Sequence, residues 1–410
     1  MRVAIIGGGA AGMMAAATIN EYSPETEVFL IEKNDSLGKK VIISGGGRCN
    51  VTTGISDIKT VLKKYPRGEK FLISAMHRFS PEDVYKWFES HGVPVECEDD
   101  LRVFPKSDDG HDVVGVFEKI FKNGNTQILF NHNVESIKKD KENFEIYFKG
   151  WPPLTIDRVV LCVGGQAYRQ TGSVGDGYAF AESLGHKITS LAASLNSFIT
   201  KEKWVREISG VSFEKCKIYS DRKKEYSFTG SFLFTHTGIS GPAVFALSSL
   251  VAFEEYGPKN PLPIFIDFLP DISDNELYKK ISNLKIEHAK KTLKNTVHLL
   301  IPESVVEIIF REQNVSLEKK TADATKEDIQ KIISWLKKMP LNAIGRGAGD
   351  EFVTAGGVDL SEVDPKTMES KICKGLFFAG EILDIDGFTG GFNLQASWAT
   401  GFAAGRNVII

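Results

Sequence analysis

The sequence predicts an α/β protein with a parallel sheet, into which a second region of different character is inserted. The first 32 residues contain an apolar strand, a glycine-rich turn, a helix and a second apolar strand in succession. Short apolar strands that end in glycine return at 155–165 and at 375–381. Between about 190 and 345 the chain instead carries short strand-like runs followed by helical stretches.

The amino terminus joins a buried strand to a turn that suits phosphate. Arg2–Ile6 is nearly all apolar and β-branched, as a central parallel strand is. In the GxGxxG pattern that follows, Gly7 permits a tight turn, Gly9 lets a diphosphate approach the backbone, and Gly12 lets the helix press on the strand. That helix is expected from Ala10 to Asn20, with its free N–H groups and positive dipole end facing the phosphates.

The second strand ends in a carboxylate. Val28–Ile31 is apolar and is followed by Glu32, twenty residues after Gly12. A carboxylate at this place suits a ribose 2′-hydroxyl and repels a 2′-phosphate. Strand, glycines, helix, second strand and acid in this register favour a dinucleotide site over an ordinary glycine-rich turn.

The overall composition limits the class of protein. The chain has 410 residues, of which 42% are hydrophobic and 25% charged, as in an ordinary globular protein with room for about two or three domains. Its net charge of −3 gives no broad attraction to nucleic acid or to an anionic membrane. No apolar run approaches the ~18 residues of a membrane span. Because Met1 leads directly into the first strand, we expect no signal peptide and a cytoplasmic protein that acts on a small molecule.

The cysteines and histidines do not form a recognisable metal or disulfide pattern. The five cysteines lie far apart without a CxxC pair, so we expect neither a disulfide framework nor a zinc site. The eight histidines show no HExxH or other paired spacing, and no metal is expected.

Three later segments favour FAD over NAD as the dinucleotide. Ser44–Asn50 contains three consecutive glycines and an arginine, a composition that exposes backbone N–H groups and a cation along a diphosphate and a flavin rim. The returning strand at 155–165 ends in paired glycines, and the one at 375–381 ends in glycine and glutamate, which could hold ribityl hydroxyls. FAD has a long isoalloxazine arm that several segments must hold, whereas NAD would need less of the chain.

The last helix suggests how the flavin is tuned. Asp386–Asn393 leads into a helix expected at Leu394–Asn407 and rich in alanine, serine and glycine. Reduced flavin carries negative charge around N1 and the C2 carbonyl, and a helix amino end aimed there stabilises that charge. We expect the N–H groups near Phe392, Asn393 and Leu394 to do this.

Together these segments resemble the bacterial FAD-dependent oxidoreductases known as aminoacetone-oxidase-like or BaiN-like flavoproteins. The resemblance rests on GGGAAG (7–12), GKKVIISGGGRCNVTT (38–53), FTHTGISGPAVFALS (234–248), TAGGVDLSEVDPKTMESK (354–371) and GLFFAGEILDIDGFTGGFNLQASWATG (375–401). It implies a glutathione-reductase-type Rossmann domain for FAD, with a parallel sheet and a small antiparallel sheet, at 1–190 and 346–410. It also implies an inserted domain at 191–345, with a β-barrel at about 191–270 and a helical bundle at about 271–345.

The residues support these elements independently of the resemblance. The elements expected in the insert are the strands Lys215–Tyr219, Tyr226–Phe234 and Pro263–Phe268, a helical stretch that begins with Ser273–Leu277, and helices near Glu303–Gln313 and Lys326–Lys338. In the first domain, Ser80-Pro81-Glu82-Asp83 predicts a capped helix start. Residues 93–104 and 144–148 are interpreted as edges of one small inserted sheet.

The residues expected to contact the cofactor come from all of these segments. They are Gly7, Gly9, Ala10, Ala11, Gly12, Glu32, Lys33, Lys39, Ser44, Gly45, Gly46, Gly47, Arg48, Asn50, Val134, Gly164, Gly165, Gly380, Glu381, Gly391, Phe392, Asn393 and Leu394.

Three side chains are candidates for the chemistry. His236, flanked by hydroxyl residues in a glycine-rich turn, could transfer a proton near neutral pH, or it could simply belong to a hydrogen-bonded turn. Arg48 could neutralise a phosphate or a substrate carboxylate, or be held at the surface by an acid. Tyr168 could line a cleft as a proton donor, or pack. Cys49 is expected to shape the loop, because no partner cysteine stands at the spacing of a dithiol reductase.

The sequence favours an FAD-dependent oxidoreductase in which a hydride passes between a small organic substrate, or NAD(P)H, and flavin N5. No second strand–GxGxxG–helix occurs between 150 and 345, so a nicotinamide would visit the flavin only transiently. The resemblance allows amine oxidation as well as reduction of conjugated ketones. Two alternatives remain: a tRNA-modifying flavoprotein, because some of these begin with a similar glycine motif, and a non-catalytic FAD-binding protein.

Overall fold

The computed structural model describes residues 1–222, 224–347 and 352–410. By contact density the chain divides into unit 1, Met1–Ser194 with Phe352–Ile410, and unit 2, Leu195–Glu351. We describe each unit by itself. The boundary expected at 345/346 is followed by residues 348–351, which lie outside the described residues.

The elements are numbered in chain order. The strands are β1 (Arg2–Ile6), β2 (Glu27–Ile31), β3 (Thr52–Thr53), β4 (Val95–Cys97), β5 (Arg102–Pro105), β6 (Thr126–Leu129), β7 (Val134–Asp140), β8 (Asn143–Phe148), β9 (Trp151–Ile156), β10 (Arg158–Leu161), β11 (Ala192–Ser194), β12 (Phe198–Thr200), β13 (Ser212–Ser220), β14 (Tyr226–Phe234), β15 (Gly238–Ser240), β16 (Leu262–Asp267), β17 (Met339–Arg346), β18 (Val353–Ala355) and β19 (Leu376–Phe378). The helices are α1 (Ala10–Tyr22), α2 (Lys39–Ile43), α3 (Ile58–Leu62), α4 (Glu69–Arg78), α5 (Pro81–Ser90), α6 (Gly110–Asn123), α7 (Asp176–Ser183), α8 (Pro242–Leu250), α9 (Asp274–Glu287), α10 (Leu293–Val297), α11 (Glu303–Glu312), α12 (Lys326–Lys338) and α13 (Phe392–Val408).

Unit 1 is built on a parallel sheet with strand order β19-β10-β1-β2-β6. The apolar strands expected at the amino terminus and at both later returns are neighbours in this sheet, in register with Ala4 opposite Phe29 and Val159 opposite Leu376. Because all five strands run in the same direction, their carboxyl ends meet at one edge, where the glycine turns after β1, β10 and β19 lie. The α/β fold class and the Rossmann arrangement are confirmed.

Two helices from opposite ends of the chain pack together in unit 1. An added Cβ at Gly401 of α13 would stand 2.4 Å from the carbonyl oxygen of Ala11 in α1, and one at Gly405 would stand 2.7 Å from that of Ala15. The two backbones therefore approach so closely that only glycine fits at these positions. This packing brings the amino end of the last helix to the side of the sheet that carries the first glycine turn.

Unit 1 also contains small antiparallel sheets. One has the order β3-β5-β4, a second β7-β8-β9, and a third pairs β11 with β18. The interpretation of 93–104 and 144–148 as edges of one sheet is wrong, because these segments belong to the first and the second sheet respectively. The alternation of apolar residues showed that both are half-buried strands but not which partners they have. The capped start of α5 is confirmed, with a reciprocal capping box between Ser80 and Asp83.

Unit 2 contains a closed antiparallel barrel with the order β12-β15-β14-β13-β16-β17. The strands expected at 215–219, 226–234 and 263–268 are β13, β14 and β16 with small differences at their ends. The last barrel strand, β17, follows α12 and lies in a stretch that the sequence assigned to the helical bundle. Pairing of β17 with both β12 and β16 closes the barrel, a long-range contact that local patterns do not reveal.

The helices of unit 2 share one core with its barrel. Phe234 and Ile266 from the barrel belong to the same buried cluster as Val306 of α11 and Leu336 of α12. Helix α8, which follows the turn that contains His236, adds Val244 and Leu247 to this cluster. Among the described residues, no α-helix combines the length and the apolarity that crossing a bilayer requires.

Candidate cofactor site

The turn between β1 and α1 has the geometry of a phosphate cradle. Gly7 has a φ of +105°, and an added Cβ would stand 2.6 Å from the carbonyl oxygen of Cys162. At Gly12 a Cβ would stand only 1.9 Å from the carbonyl oxygen of Gly7. By contrast, a Cβ at Gly9 would meet no atom of the described residues within 4 Å. The first intrahelical donor is the Met13 N–H, which bonds to the carbonyl of Gly9, so the preceding N–H groups of α1 have no partner among the described residues.

Glu32 lies at the end of β2, as expected, and is only 8% exposed. Its Oε2 accepts a hydrogen bond from the Gly8 N–H at 2.8 Å, and its Oε1 accepts two from the N–H and the Nδ2 of Asn34, both at 2.8 Å. The main chain of Glu32 also accepts a bond from the His132 N–H at 3.1 Å, which brings the start of β7, including Val134, alongside. A ribose and an adenine suit this corner, where the buried carboxylate after β2 lies beside the start of β7.

The glycine loop after α2 is shaped by left-handed backbone. Gly45, Gly46 and Gly47 have φ values of +59°, +74° and +94°, which side chains rarely tolerate. Added Cβ atoms at Gly46 and Gly47 would meet nothing within 4 Å among the described residues, so the surface of this loop is bare backbone. The Asn50 carboxamide ties the loop to the start of α13, since its oxygen accepts from the Gly391 N–H at 2.9 Å.

Cys49 and Ser44 belong to the inner side of this loop. The Cys49 N–H donates to the carbonyl of Ser44 at 2.9 Å, and the thiol is fully buried. Burial raises the pKa of the Cys49 thiol to about 12, which keeps it protonated and unreactive at neutral pH. This environment agrees with the loop-shaping role expected for Cys49.

Arg48 is held by acids rather than left free for a ligand. Its guanidinium lies 3.9 Å from the ring centre of Phe104 and donates to Glu98 at 2.8 Å and to Asp108 at 2.6 Å. Both carboxylates raise the pKa of Arg48, Glu98 first. Of the two roles considered for Arg48, this geometry favours the arginine held by acids.

Glu381, at the end of β19, lies in a network of charged and polar groups. Its Oε2 accepts from the Lys40 Nζ at 3.0 Å and its Oε1 from the Thr354 N–H at 2.9 Å. The Thr354 hydroxyl in turn accepts from the Gln166 N–H at 2.8 Å, next to Gly165. The two strand returns at 155–165 and 375–381 therefore meet at one cluster.

The amino end of α13 presents free backbone donors. Gly391 precedes the helix with a φ of +83°, and a Cβ there would stand 2.2 Å from the carbonyl oxygen of Thr52. The Gln395 N–H is the first to find a helical acceptor, the carbonyl of Gly391 at 2.9 Å. Among the described residues, the N–H groups of Phe392, Asn393 and Leu394 have no partner. They form a donor set at the positive end of a 17-residue helix.

These features can be tested for their fit to FAD. The cofactor is long, carries a diphosphate near its middle and develops negative charge on its ring when it is reduced. Unit 1 has two helix amino ends with free donors, those of α1 and α13, together with a bare glycine loop and a buried carboxylate at a strand end. The donor set therefore fits FAD. Among the described residues, no three His, Cys, Asp or Glu side chains are grouped to hold a metal ion.

Comparison with known proteins decides the family. The family described as HI0933-like protein Rossmann domain matches residues 1–407, almost the full chain. The chain belongs to the HI0933-like family. Its resemblance to BaiN-like flavoproteins is thereby confirmed, and the expectation of an FAD-dependent oxidoreductase is confirmed at this level.

Three curated relatives of this HI0933-like chain carry two different activities. A 3-dehydro-bile acid delta(4,6)-reductase of Clostridium scindens is 29% identical over 407 residues, covering 99% of this chain and 98% of the relative. A ribosomal RNA dihydrouridine synthase of Escherichia coli is 29% identical over 409 residues, covering 99% and 97%. A second ribosomal RNA dihydrouridine synthase, from Haemophilus influenzae, is 28% identical over 411 residues, covering 98% and 97%.

Solved structures show the same fold at low identity. A 3-ketosteroid delta1-dehydrogenase of Sterolibacterium denitrificans superposes with a TM-score of 0.52 at 12% identity and covers 99% of this chain and 98% of its own. An Escherichia coli quinol fumarate reductase also gives 0.52, at 15% identity, and covers 100% of this chain and 70% of its own. These likenesses support the fold.

Four more residues of this HI0933-like chain were predicted from the sequence to contact the cofactor. Lys33 and Lys39 point to carboxylates, Lys33 to Asp176 at 2.6 Å and Lys39 to Asp35 at 2.8 Å. Gly164 and Gly380 adopt left-handed φ values of +73° and +78° in the turns after β10 and β19.

Two of the catalytic candidates lie in different units. Tyr168 is half-buried in unit 1, has a φ of +56°, and its ring lies 5.8 Å from that of Phe352. His236 lies in unit 2, exposed in the turn between β14 and β15, where the Gly238 N–H bonds to the Thr235 hydroxyl at 3.1 Å. Neither position tests the role that the sequence suggested.

Several residues of the site were not predicted from the sequence. Among them, Lys40 contacts Glu381, and Asp176 contacts Lys33. Thr354 contacts both strand returns through its N–H and its hydroxyl. A usable signal existed for Thr354, because it begins one of the segments that carry the family resemblance. For Lys40 and Asp176 there was none, since the partner of a lysine is set by tertiary structure.

Proposed function

We propose that this HI0933-like protein is an FAD-dependent reductase of carbon–carbon double bonds that are conjugated to a carbonyl group. The relatives support this, although their names differ. A 3-dehydro bile acid with double bonds at positions 4 and 6 is a conjugated dienone, and the uracil of uridine has a double bond conjugated to its C4 carbonyl. Both substrates therefore accept a hydride at the carbon β to a carbonyl.

Residues of α1, the end of β2 and the turn after β19 would hold the successive parts of FAD. The free N–H groups at the start of α1 would bind the diphosphate, with Gly9 leaving room for its approach. Glu32 would bind the ribose hydroxyls, and the start of β7 at Val134 would contact the adenine. Glu381, oriented by Lys40 and Thr354, would accept hydrogen bonds from the ribityl chain.

One observation carries the proposal: the three unpartnered N–H groups at the amino end of α13. When FAD is bound, its ring supplies hydride exchange at N5 with a substrate carbon. The α13 donors would face the pyrimidine edge and hold the negative charge that collects there on reduction. Backbone donors at a helix end are already oriented, so they stabilise the charge without reorganising. Such stabilisation would favour reduction of the flavin by a nicotinamide.

A reductase of this kind needs a proton donor for the carbon α to the carbonyl. Among the candidates from the sequence, His236 has an exposed imidazole and Tyr168 a half-buried phenol. We propose His236 for this step, because an imidazole exchanges protons near neutral pH more readily than a phenol does. Arg48 is left out of the step, because two carboxylates and an aromatic ring already engage it.

An anaerobic titration tests the direction of the reaction. The FAD-loaded protein should lose its yellow colour on addition of NADPH or NADH, and regain it on addition of a cyclic enone. The saturated ketone of the same ring is the matched control and should leave the flavin reduced. If an amine bleaches the flavin and neither nicotinamide does, the protein is an oxidase and the proposal is wrong.

A second candidate function is reduction of uridine in RNA, which the two ribosomal RNA dihydrouridine synthases among the relatives favour. The net charge of −3 does not by itself supply affinity for RNA, so binding would have to be local. The reduced protein would be mixed with ribosomal RNA and the RNA analysed for dihydrouridine by mass spectrometry. Formation of dihydrouridine, with no reoxidation by the small enone, would restrict the substrate of this reductase to uridine in RNA.

A further inference from the structure

Residues 64–68, between α3 and α4, run alongside the loop that leads into α13. The Phe388 N–H donates to the carbonyl of Lys64 at 2.9 Å, and Arg67 forms an antiparallel bridge with Asp386. At the two ends of this pairing the fit is tight. A Cβ on Gly387 would stand 3.0 Å from the ring of Tyr65, and one on Gly68 would stand 2.6 Å from a side-chain carbon of Ile385. Each loop residue from 385 to 388 thus touches the 64–68 segment.

Two side chains of this segment, those of Arg67 and Tyr65, make polar contacts with the loop and with the start of α13. Arg67 donates through Nε and Nη2 to the two carboxylate oxygens of Asp386, whose side chain is completely buried. The Ser194 hydroxyl donates to the same carboxylate at 2.7 Å. Planar, two-point pairing of this kind fixes orientation as well as distance. The Asp386 carboxylate is therefore held in place by Arg67 and by Ser194.

Tyr65 contacts the first turn of α13 directly. Its hydroxyl donates to the carbonyl of Phe392 at 2.7 Å, and its ring meets the Phe392 ring edge-on at 6.2 Å. Burial raises the pKa of Tyr65 well above its usual value, so the hydroxyl keeps its proton and remains a donor. From the other side, the Asn393 side chain bonds to both the N–H and the carbonyl of Gly387, at 2.8 and 2.9 Å. The loop and the helix start are held as one piece.

We infer that the 64–68 segment is a positioning element that sets the reduction potential of the flavin. It acts through the amino end of α13, whose three free N–H groups belong to Phe392, which accepts the Tyr65 bond, and to the two residues after it. The inference rests on the proposed function, in which those donors stabilise the reduced ring. Electrostatic stabilisation by a dipole falls off steeply with displacement, so the helix start has to be fixed. Tyr65 and the Arg67–Asp386 pair provide that fixation.

The test is the midpoint potential of the bound FAD in the Tyr65→Phe variant of the full-length holoenzyme. Loss of the hydroxyl should make reduction about tenfold less favourable, which for a two-electron couple lowers the midpoint by about 30 mV. Affinity for oxidised FAD should change less than about threefold, because the oxidised ring carries no charge at this edge. Arg67→Lys, which keeps the charge but loses the two-point geometry, should lower the potential in the same direction.

Tyr85→Phe is the matched control. The Tyr85 hydroxyl also donates to a backbone carbonyl, that of Val95 at 2.8 Å, and Val95 lies in β4 rather than in the 385–388 loop or in the first turn of α13. This variant should lose comparable stability and keep the wild-type potential. A Tyr65→Phe enzyme with the wild-type potential overturns the inference. So does loss of FAD from both segment variants while Tyr85→Phe retains it, because the segment would then govern binding. If wild-type protein itself binds no FAD, the proposed function fails, which this control separates from failure of the inference.

Discussion

Replacing Gly9 by alanine separates cofactor binding from folding. The backbone of Gly9 has φ −83° and ψ −170°, which alanine adopts without strain, and its added Cβ would meet nothing within 4 Å among the described residues. Alanine at the residue preceding α1 is a slightly poorer cap than glycine, but it restricts the unfolded chain, which contributes about 0.4–1 kcal/mol. These effects oppose each other, so the free energy of unfolding should change by less than about 1 kcal/mol.

The effect on FAD should be much larger. The methyl group projects about 1.5 Å into the space through which the diphosphate would approach the N–H groups of α1. A diphosphate that is pushed back loses one or more hydrogen bonds to a charged group, each worth about 1.5–3 kcal/mol. Since 1.4 kcal/mol is about a factor of ten in affinity, FAD should bind roughly ten- to a hundredfold more weakly.

Fluorescence titration of the apoprotein with FAD measures this affinity, and thermal unfolding without FAD measures the stability. Gly115→Ala in α6 is the matched control, because its Cβ would also meet no atom of the described residues within 4 Å and it lies in the middle of a helix. That variant should gain up to about 1 kcal/mol in stability and bind FAD as the wild type does. Unchanged FAD affinity in Gly9→Ala would refute the placement of the diphosphate at α1.

Three further predictions follow from the structure. Glu32→Gln should lower the free energy of unfolding by about 1–3 kcal/mol and weaken FAD binding, because the carboxylate accepts hydrogen bonds through two oxygens and a carboxamide has only one. Chemical denaturation measures the first change and FAD titration the second, and the absence of either would contradict the prediction. The Cys49 thiol has a folded pKa of about 12 against 9.0 for the free group, so its contribution to stability is complete below pH 9 and is lost as the pH rises towards 12. At pH 8 a thiol reagent should modify the exposed Cys97 and spare Cys49, as peptide mapping would reveal. His236→Ala should keep FAD and its bleaching by nicotinamide but slow recolouring by an enone at least tenfold, and full turnover would remove His236 from the mechanism.

Much of unit 1 could be predicted because its signals are local. The strand from Arg2 to Ile6, the glycines that follow and the acid at 32 stand in a fixed spacing, and the structure keeps that register. The start of the last helix was expected at Leu394 but lies at Phe392, since Gly391 at φ +83° lets the chain turn into the helix earlier. This difference puts the N–H groups of all three expected residues at the free end of the helix.

What the sequence could not give are contacts that depend on distant partners. Strand β17 closes the barrel by pairing with β12 and with β16, and β16 lies more than 70 residues earlier in the chain. The residues of β17 alone do not indicate which strands it pairs with. Arg48 was a candidate ligand for phosphate, yet Glu98 and Asp108 take its guanidinium because the folded chain brings them within 3 Å. The Lys40–Glu381 and Arg67–Asp386 pairs could not be predicted for the same reason, because each joins segments more than 300 residues apart.

A crystal structure of the FAD-loaded protein would show where the cofactor lies. We expect the diphosphate within hydrogen-bond distance of the N–H groups at the start of α1. We also expect the pyrimidine edge of the flavin within the same distance of the N–H groups of Phe392, Asn393 or Leu394. A flavin ring displaced from the amino end of α13 by more than one helical turn, about 5.4 Å, would contradict this expectation.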